Sequence, residues 1–161
     1  MGKLRFLLAQ SLTAAIIFIV AAITDWIDGY LARKWNQTSA FGAFLDPVAD
    51  KLIVAGSLLV LVQLGRVSAI LGFIIIGREI AISALREWMA KIGESKSVAV
   101  SSLGKVKTIA QMIAIPMLLF YNKLFYFIDT AFIGTYLLVI AAILTVVSML
   151  YYLRKALPLM K

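Results

Sequence analysis

Apolar residues fill five long stretches of the chain, Leu4–Leu31, Phe41–Leu64, Val67–Met89, Val98–Tyr121 and Thr130–Leu153. Short polar breaks separate them, around Lys34–Ala40, Gly65–Arg66, Ala90–Ser97 and Asn122–Asp129. Each stretch has the roughly 20 residues that a helix needs to cross the hydrocarbon core of a bilayer. Breaks this short make sequential helices antiparallel neighbours. The predicted fold is all-α, a polytopic transmembrane helix bundle of five spans. Only the last stretch carries no charge; ionisable residues in the others require a polar interior at one membrane depth. The uncharged run Phe6–Thr24 is longer than a signal-peptide core and leads straight into acidic residues, so it reads as a retained span.

Composition agrees with an integral membrane protein: of 161 residues 63% are hydrophobic and 15% charged, whereas soluble domains carry about 25% charged residues. Residues 1–161 read as a single membrane domain, without a soluble domain, linker or internal repeat. The net charge of +8 is spread among apolar spans rather than gathered on one face, which points to anionic lipids and phosphorylated substrates and not to nucleic acid. Arg33, Lys34, Arg86, Lys91, Lys96, Arg154, Lys155 and Lys161 fall on one side of the predicted bundle, with Lys105 and Lys107 near it; the opposite connections hold Arg66 and Lys123. By the positive-inside rule the first side is cytoplasmic. Trp26, Trp35, Trp88, Tyr151 and Tyr152 lie towards it and are expected to anchor the bundle at the interface.

The candidate chemistry lies between Asp25 and Asp50, a segment that holds four of the eight acidic residues. Asp25 and Asp28 are three apart, Asp46 and Asp50 four apart, so on helices each pair projects from one face. Two antiparallel helices can bring all four carboxylates together, and two divalent cations would balance their charge. The chain has no Cys and no His, so a metal must be held by oxygen, which favours Mg²⁺, Mn²⁺ or Ca²⁺. A two-metal site of this kind suits in-line phosphoryl displacement. Gly29, Ala32 and Gly42 keep the adjoining surface small, and Arg33 could pair with phosphate oxygens. Pro47 lacks an N–H for the carbonyl of Ala43 and should kink the second span; the alternative is that Asp46-Pro47 marks a helix start. Taken singly, the glycines could be helix-packing residues, Arg33 and Lys34 a topology signal, and Asp28 with Arg33 an ion pair. Four spaced aspartates in apolar spans have no comparable structural explanation.

At these residues the chain resembles the CDP-alcohol phosphotransferase family, whose signature is D-x2-D-G-x2-A-R-x8-G-x3-D-x3-D. Asp25, Asp28, Gly29, Ala32, Arg33, Gly42, Asp46 and Asp50 meet every fixed position. The segments from Gly77 to Met89 and from Gly104 to Thr108 are similar to the bacterial branch that makes phosphatidylglycerophosphate. The resemblance implies an enzyme of phospholipid biosynthesis in the bacterial inner membrane, its site facing the cytoplasm, and a homodimer among membrane lipids. It implies transfer from CDP-diacylglycerol to sn-glycerol 3-phosphate, releasing CMP. Asp25, Asp28, Asp46 and Asp50 would bind two cations, Mg²⁺ or Mn²⁺, with Asp50 also the general base; Asp28, Gly29, Ala32, Arg33 and Gly42 would frame the CDP moiety.

The acceptor phosphate needs cations, and Arg78, Lys105 and Lys107 are the candidates, with snorkelling towards headgroups as their alternative role. Glu79 and Arg86 could orient these groups or simply pair. Family members usually have six spans, and the resemblance implies that the first is absent here. The competing readings are another acceptor (serine, inositol phosphate or a phosphatidylglycerol-type alcohol), an intramembrane prenyltransferase, and a divalent-cation transporter. Prenyltransferases place their aspartate motifs on well-separated helices, and a transporter would continue its ionisable groups to the far side.

Overall fold

The computed structural model describes residues 2–35, 40–93, 102–124 and 127–160. Five helices follow one another: α1 (Gly2–Lys34), α2 (Ala40–Gln63), α3 (Ala69–Lys91), α4 (Ser102–Phe120) and α5 (Thr130–Ala156), with a 3₁₀ turn at Leu157–Met160. They coincide with the five apolar stretches of the sequence. Pro47 lies well inside α2 rather than at its start, because the helix already begins at Ala40.

Local chemistry sets the boundaries. At the end of α2, Gly65 adopts φ +67°, with its N–H donating to Val62 O (3.0 Å) and that of Arg66 to Leu61 O (2.9 Å). This pair of bonds closes the helix with a left-handed residue that glycine supplies without steric cost. Ser68 then caps α3, its hydroxyl accepting from Leu71 N at 3.2 Å, and Asp129 caps α5 by accepting from Phe132 N at 3.0 Å. Such caps satisfy N–H groups that have no partner within the helix. Between α4 and α5, β1 (Lys123–Leu124) pairs antiparallel with β2 (Ile128–Asp129). Thr130 Oγ1 ties its ends, accepting from Asn122 N (3.0 Å) and donating to Asn122 O (2.6 Å).

α4 packs most extensively on α5 and also meets α1, while α3 joins α2 to α5. Burial on α5 follows helical spacing, through Gly134, Leu138, Ala141, Thr145, Ser148, Tyr152 and Ala156. That face is rich in small and hydroxyl residues, which allow close helix approach. Gly134 marks the tightest point: a Cβ there would lie 2.9 Å from Leu118 Cγ and 3.2 Å from Ala114 O. Gly134→Ala must push α5 from α4, and the expected cost is about 1–3 kcal/mol. Thermal unfolding in detergent measures it, and an unchanged midpoint would remove the close-packing role.

The opposite surfaces are apolar and exposed, as with Ile17, Val20 and Ile23 on α1 and Ile140, Ile143 and Val147 on α5. Side chains of this kind suit hydrocarbon, and the protein is a membrane helix bundle. By length and composition Ala9–Ala32 and Thr130–Ala156 could each cross a bilayer, and Val106–Phe120 forms a shorter apolar helix. α3 interrupts its apolar run with Arg78, Glu79 and Arg86.

Two apolar cores hold the bundle. The larger draws on Phe18, Leu58, Leu61, Ile75, Ile115, Leu118 and Leu138. The smaller joins Ile82, Leu85, Met89, Tyr152 and Ala156. Tyr152 corrects the expectation of an interfacial anchor: it is fully buried in the smaller core, beneath the Arg86 guanidinium at 5.5 Å. Its position on the packed face of α5 decides this, whereas Trp26, Trp35 and Tyr151 are exposed. Between the cores, Arg78, Lys107, Gln111, Thr145 and Ser148 form a buried polar layer.

At the end remote from that layer, Arg66 ties α4 to α1. Its Nη1 donates to Leu118 O (3.0 Å) and Leu119 O, its Nη2 to Ser11 Oγ (2.9 Å), and its guanidinium lies 4.7 Å from the Tyr121 ring centre. Carbonyls at the end of α4 lack partners within the helix, and Arg66 supplies donors to two of them. Burial lowers its pKa from the ordinary value, with Tyr121 acting in the opposite direction. Arg66→Met should cost roughly 2 kcal/mol through the stranded carbonyls, read as a lower unfolding midpoint; an unaltered midpoint would show the contacts to be incidental.

Candidate active site

Asp25 and Asp28 lie near the end of α1, and Asp46 and Asp50 in the first half of α2, so each pair is helical as its spacing requires. Asp25 and Asp50 line one cleft of about 410 Å³ together with Ala22, Ile23, Trp26, Ile53, Thr108 and Met112. Asp28 is exposed and is not among the residues lining this cleft. The side chains of Asp46, Arg33 and Lys105 lie outside the described residues. Among the described residues no three acidic groups gather as a metal cluster; the fold does bring one carboxylate from each pair to the same cleft. That donor set is all oxygen and suits a hard divalent cation. Gly29, Ala32 and Gly42 are half-buried near the facing ends of α1 and α2.

A second cleft, of about 430 Å³, shares Asp50, Thr108 and Met112 with the first and extends to Lys51, Arg78, Glu79, Ser83, Arg86, Lys107 and Gln111. Asp50 therefore stands where the two clefts meet. Arg78 and Lys107 are 6% and 3% exposed, which excludes snorkelling for both. Lys107 Nζ pairs with Glu79 Oε1, and Arg78 Nη1 lies 3.4 Å from the same oxygen. Arg78 Nη2 donates to Ser148 Oγ at 2.8 Å, and that hydroxyl donates to Thr145 O at 3.0 Å. Glu79 thus orients two cations. Arg86 does not join this pairing; it stacks over Tyr152.

Among the described residues four cationic and two anionic side chains line this cleft, Lys51, Arg78, Arg86 and Lys107 against Asp50 and Glu79. The net charge of these groups is +2. Uncompensated positive charge is costly within an apolar bundle, and a phosphate carrying about −1.5 to −2 charges would offset it. Among the described residues the buried Nε atoms of Arg78 and Arg86 have no hydrogen-bond partner, as expected of donors arranged for an anion.

Arg78, Lys105 and Lys107 were legible in the sequence as candidates, whereas Lys51, Thr108 and Gln111 emerge as wall residues only in the structure. A signal was available: Arg78, Ile82 and Arg86, like Lys107 and Gln111, are four apart. That spacing puts them on single helix faces.

A helical membrane bundle with carboxylates and buried cations converging on one cleft defines a protein built to handle a phosphate-bearing substrate. Residues 4–151 match the family model described as CDP-alcohol phosphatidyltransferase, and the chain belongs to that family of transferases. It is 50% identical over 145 residues to a protein of Shigella flexneri serotype 5b (strain 8401) named CDP-diacylglycerol--glycerol-3-phosphate 3-phosphatidyltransferase, covering 89% of this chain and 78% of the relative. A protein of Escherichia coli (strain K12) with the same name matches with the same identity and coverage. The family is generally metal-dependent.

Proposed function

We propose that the chain transfers the phosphatidyl group of CDP-diacylglycerol to sn-glycerol 3-phosphate, yielding phosphatidylglycerophosphate and CMP. One observation carries this reading: Asp50 stands between the cleft that holds Asp25 and the cleft that holds Arg78, Arg86 and Lys107. A base so placed lies between a diphosphate donor on one side and a phosphorylated acceptor on the other.

In the proposed mechanism, Arg78, Lys105 and Lys107 bind the acceptor phosphate, with Glu79 setting the direction of the cations. Asp50 takes the proton of the acceptor's primary hydroxyl. The oxygen forms a bond to the β-phosphorus of the donor as the bond from that phosphorus to the CMP oxygen breaks, and CMP leaves. Asp28, Gly29, Ala32, Arg33 and Gly42 hold the CDP moiety, the small residues allowing its close approach and Arg33 meeting a phosphate oxygen. Asp25, Asp28, Asp46 and Asp50 would hold two divalent cations, Mg²⁺ or Mn²⁺, which would polarise the diphosphate and offset the charge of the leaving group. The proposed setting is the bacterial inner membrane, with the site open to the cytoplasm as the positive-inside distribution requires and the chain paired as a homodimer.

Serine has no phosphate and would leave the net positive cleft unmatched. Inositol phosphate shares the phosphate, but the names of the relatives favour glycerol 3-phosphate. The test is CMP release from CDP-diacylglycerol by the purified protein, with glycerol 3-phosphate, serine and inositol phosphate as acceptors. Glycerol 3-phosphate should be used at least tenfold faster than the others. Chelation with EDTA should abolish release, and Mg²⁺ or Mn²⁺ should restore it. Equal use of serine would refute the acceptor assignment, and full activity in EDTA would refute the metal assignment.

A further inference from the structure

Gln111 has an unexplained donor. The residue is 4% exposed, lines the cleft shared by Asp50 and Lys107, and its buried Nε2 has no hydrogen-bond partner among the described residues. Leaving an amide donor unsatisfied costs about 1–3 kcal/mol, a cost removed by a ligand oxygen in the cleft. Gln111 follows Lys107 by four positions, so the two share one face of α4 with an offset of about 6 Å along the helix. The cleft therefore presents a charged donor, then a neutral one.

We infer that Gln111 is a specificity-determining residue whose Nε2 donates to the secondary hydroxyl of the acceptor's glycerol backbone. This rests on the proposed reaction with glycerol 3-phosphate. In the proposed site the dianionic phosphate already has Arg78 and Lys107 for partners, both lining this cleft. A neutral amide suits an uncharged oxygen. In glycerol 3-phosphate the secondary hydroxyl lies between the phosphate and the attacking primary hydroxyl, as Gln111 lies in a cleft lined by both Lys107 and Asp50. A site built to bond a hydroxyl discriminates strongly against an analogue that lacks it, because its own polar group then stays unpaired.

The test compares glycerol 3-phosphate with 3-hydroxypropyl phosphate, which keeps the phosphate and the attacking hydroxyl but lacks the secondary one. The wild-type enzyme should favour glycerol 3-phosphate by about 10- to 100-fold in kcat/KM. Gln111→Met, of similar length, should narrow that preference to about threefold or less, the loss falling on glycerol 3-phosphate. An equal loss for both acceptors would overturn the inference and assign the amide to phosphate binding or packing. The wild-type ratio requires no variant to fold, and a value near one overturns the inference by itself while leaving the proposed reaction standing. Absence of CMP release with glycerol 3-phosphate, where another alcohol supports it, would overturn both.

Discussion

Asp50→Asn should reduce CMP release by about a thousandfold or more, while the protein still folds and binds CDP-diacylglycerol. The amide has nearly the shape of the carboxylate but cannot accept the acceptor's proton, and general-base catalysis contributes typically 10²–10⁴-fold. Loss of one negative charge from the proposed metal set adds to the effect. The two contributions separate experimentally. Asp25→Asn, Asp28→Asn and Asp46→Asn should be partly rescued by raised Mg²⁺ or Mn²⁺, because they remove a ligand. Asp50→Asn should not be, because it removes the proton acceptor. Turnover by Asp50→Asn within tenfold of wild type at neutral pH would end its assignment as base. The location of Asp50 in both clefts makes the experiment informative: no other acidic side chain described at the site faces both.

Lys107→Gln is expected to raise the KM for glycerol 3-phosphate by about 10- to 100-fold, with the KM for CDP-diacylglycerol changed by no more than about threefold. A hydrogen bond involving a charged group contributes about 1.5–3 kcal/mol, which converts to that range at 1.4 kcal/mol per decade. The substitution also leaves Glu79 with less positive charge beside it, since Lys107 and Arg78 share its Oε1. The unchanged donor KM controls for that disturbance. Lys105→Gln should shift the acceptor KM in the same direction. Parallel increases for both substrates would point to folding or headgroup contact rather than an acceptor site.

Such an arrangement is not explained by stability. A buried ion pair often contributes little after desolvation, and apolar replacements can be as stable. Among the described residues the cations lining the cleft outnumber the carboxylates, and the buried Nε atoms of Arg78 and Arg86 have no hydrogen-bond partner there. Charge of this sort persists where a ligand completes it.

The helices and their order were legible in the sequence because spanning a bilayer requires a long apolar run with every backbone group bonded internally. The paired aspartates were legible for a related reason: spacings of three and four put side chains on one helix face whatever the bundle does. Sequence also identified the family, through residues at fixed separations along two consecutive helices. The hairpin between α4 and α5 was not legible, since two residue pairs give no detectable alternation. Nor was the burial of Tyr152, because an aromatic near a helix end fits an interface and a packed face equally well until its neighbours are known. Tertiary structure alone decided that Arg78 from α3, Lys107 and Gln111 from α4, and Ser148 from α5 form one layer between two apolar cores. These residues are far apart in the chain, and only the packing angles of three helices bring them together. It also decided that Asp50 joins the two clefts. Helical periodicity fixes which face a residue occupies, whereas the partner of that face depends on how the whole bundle closes.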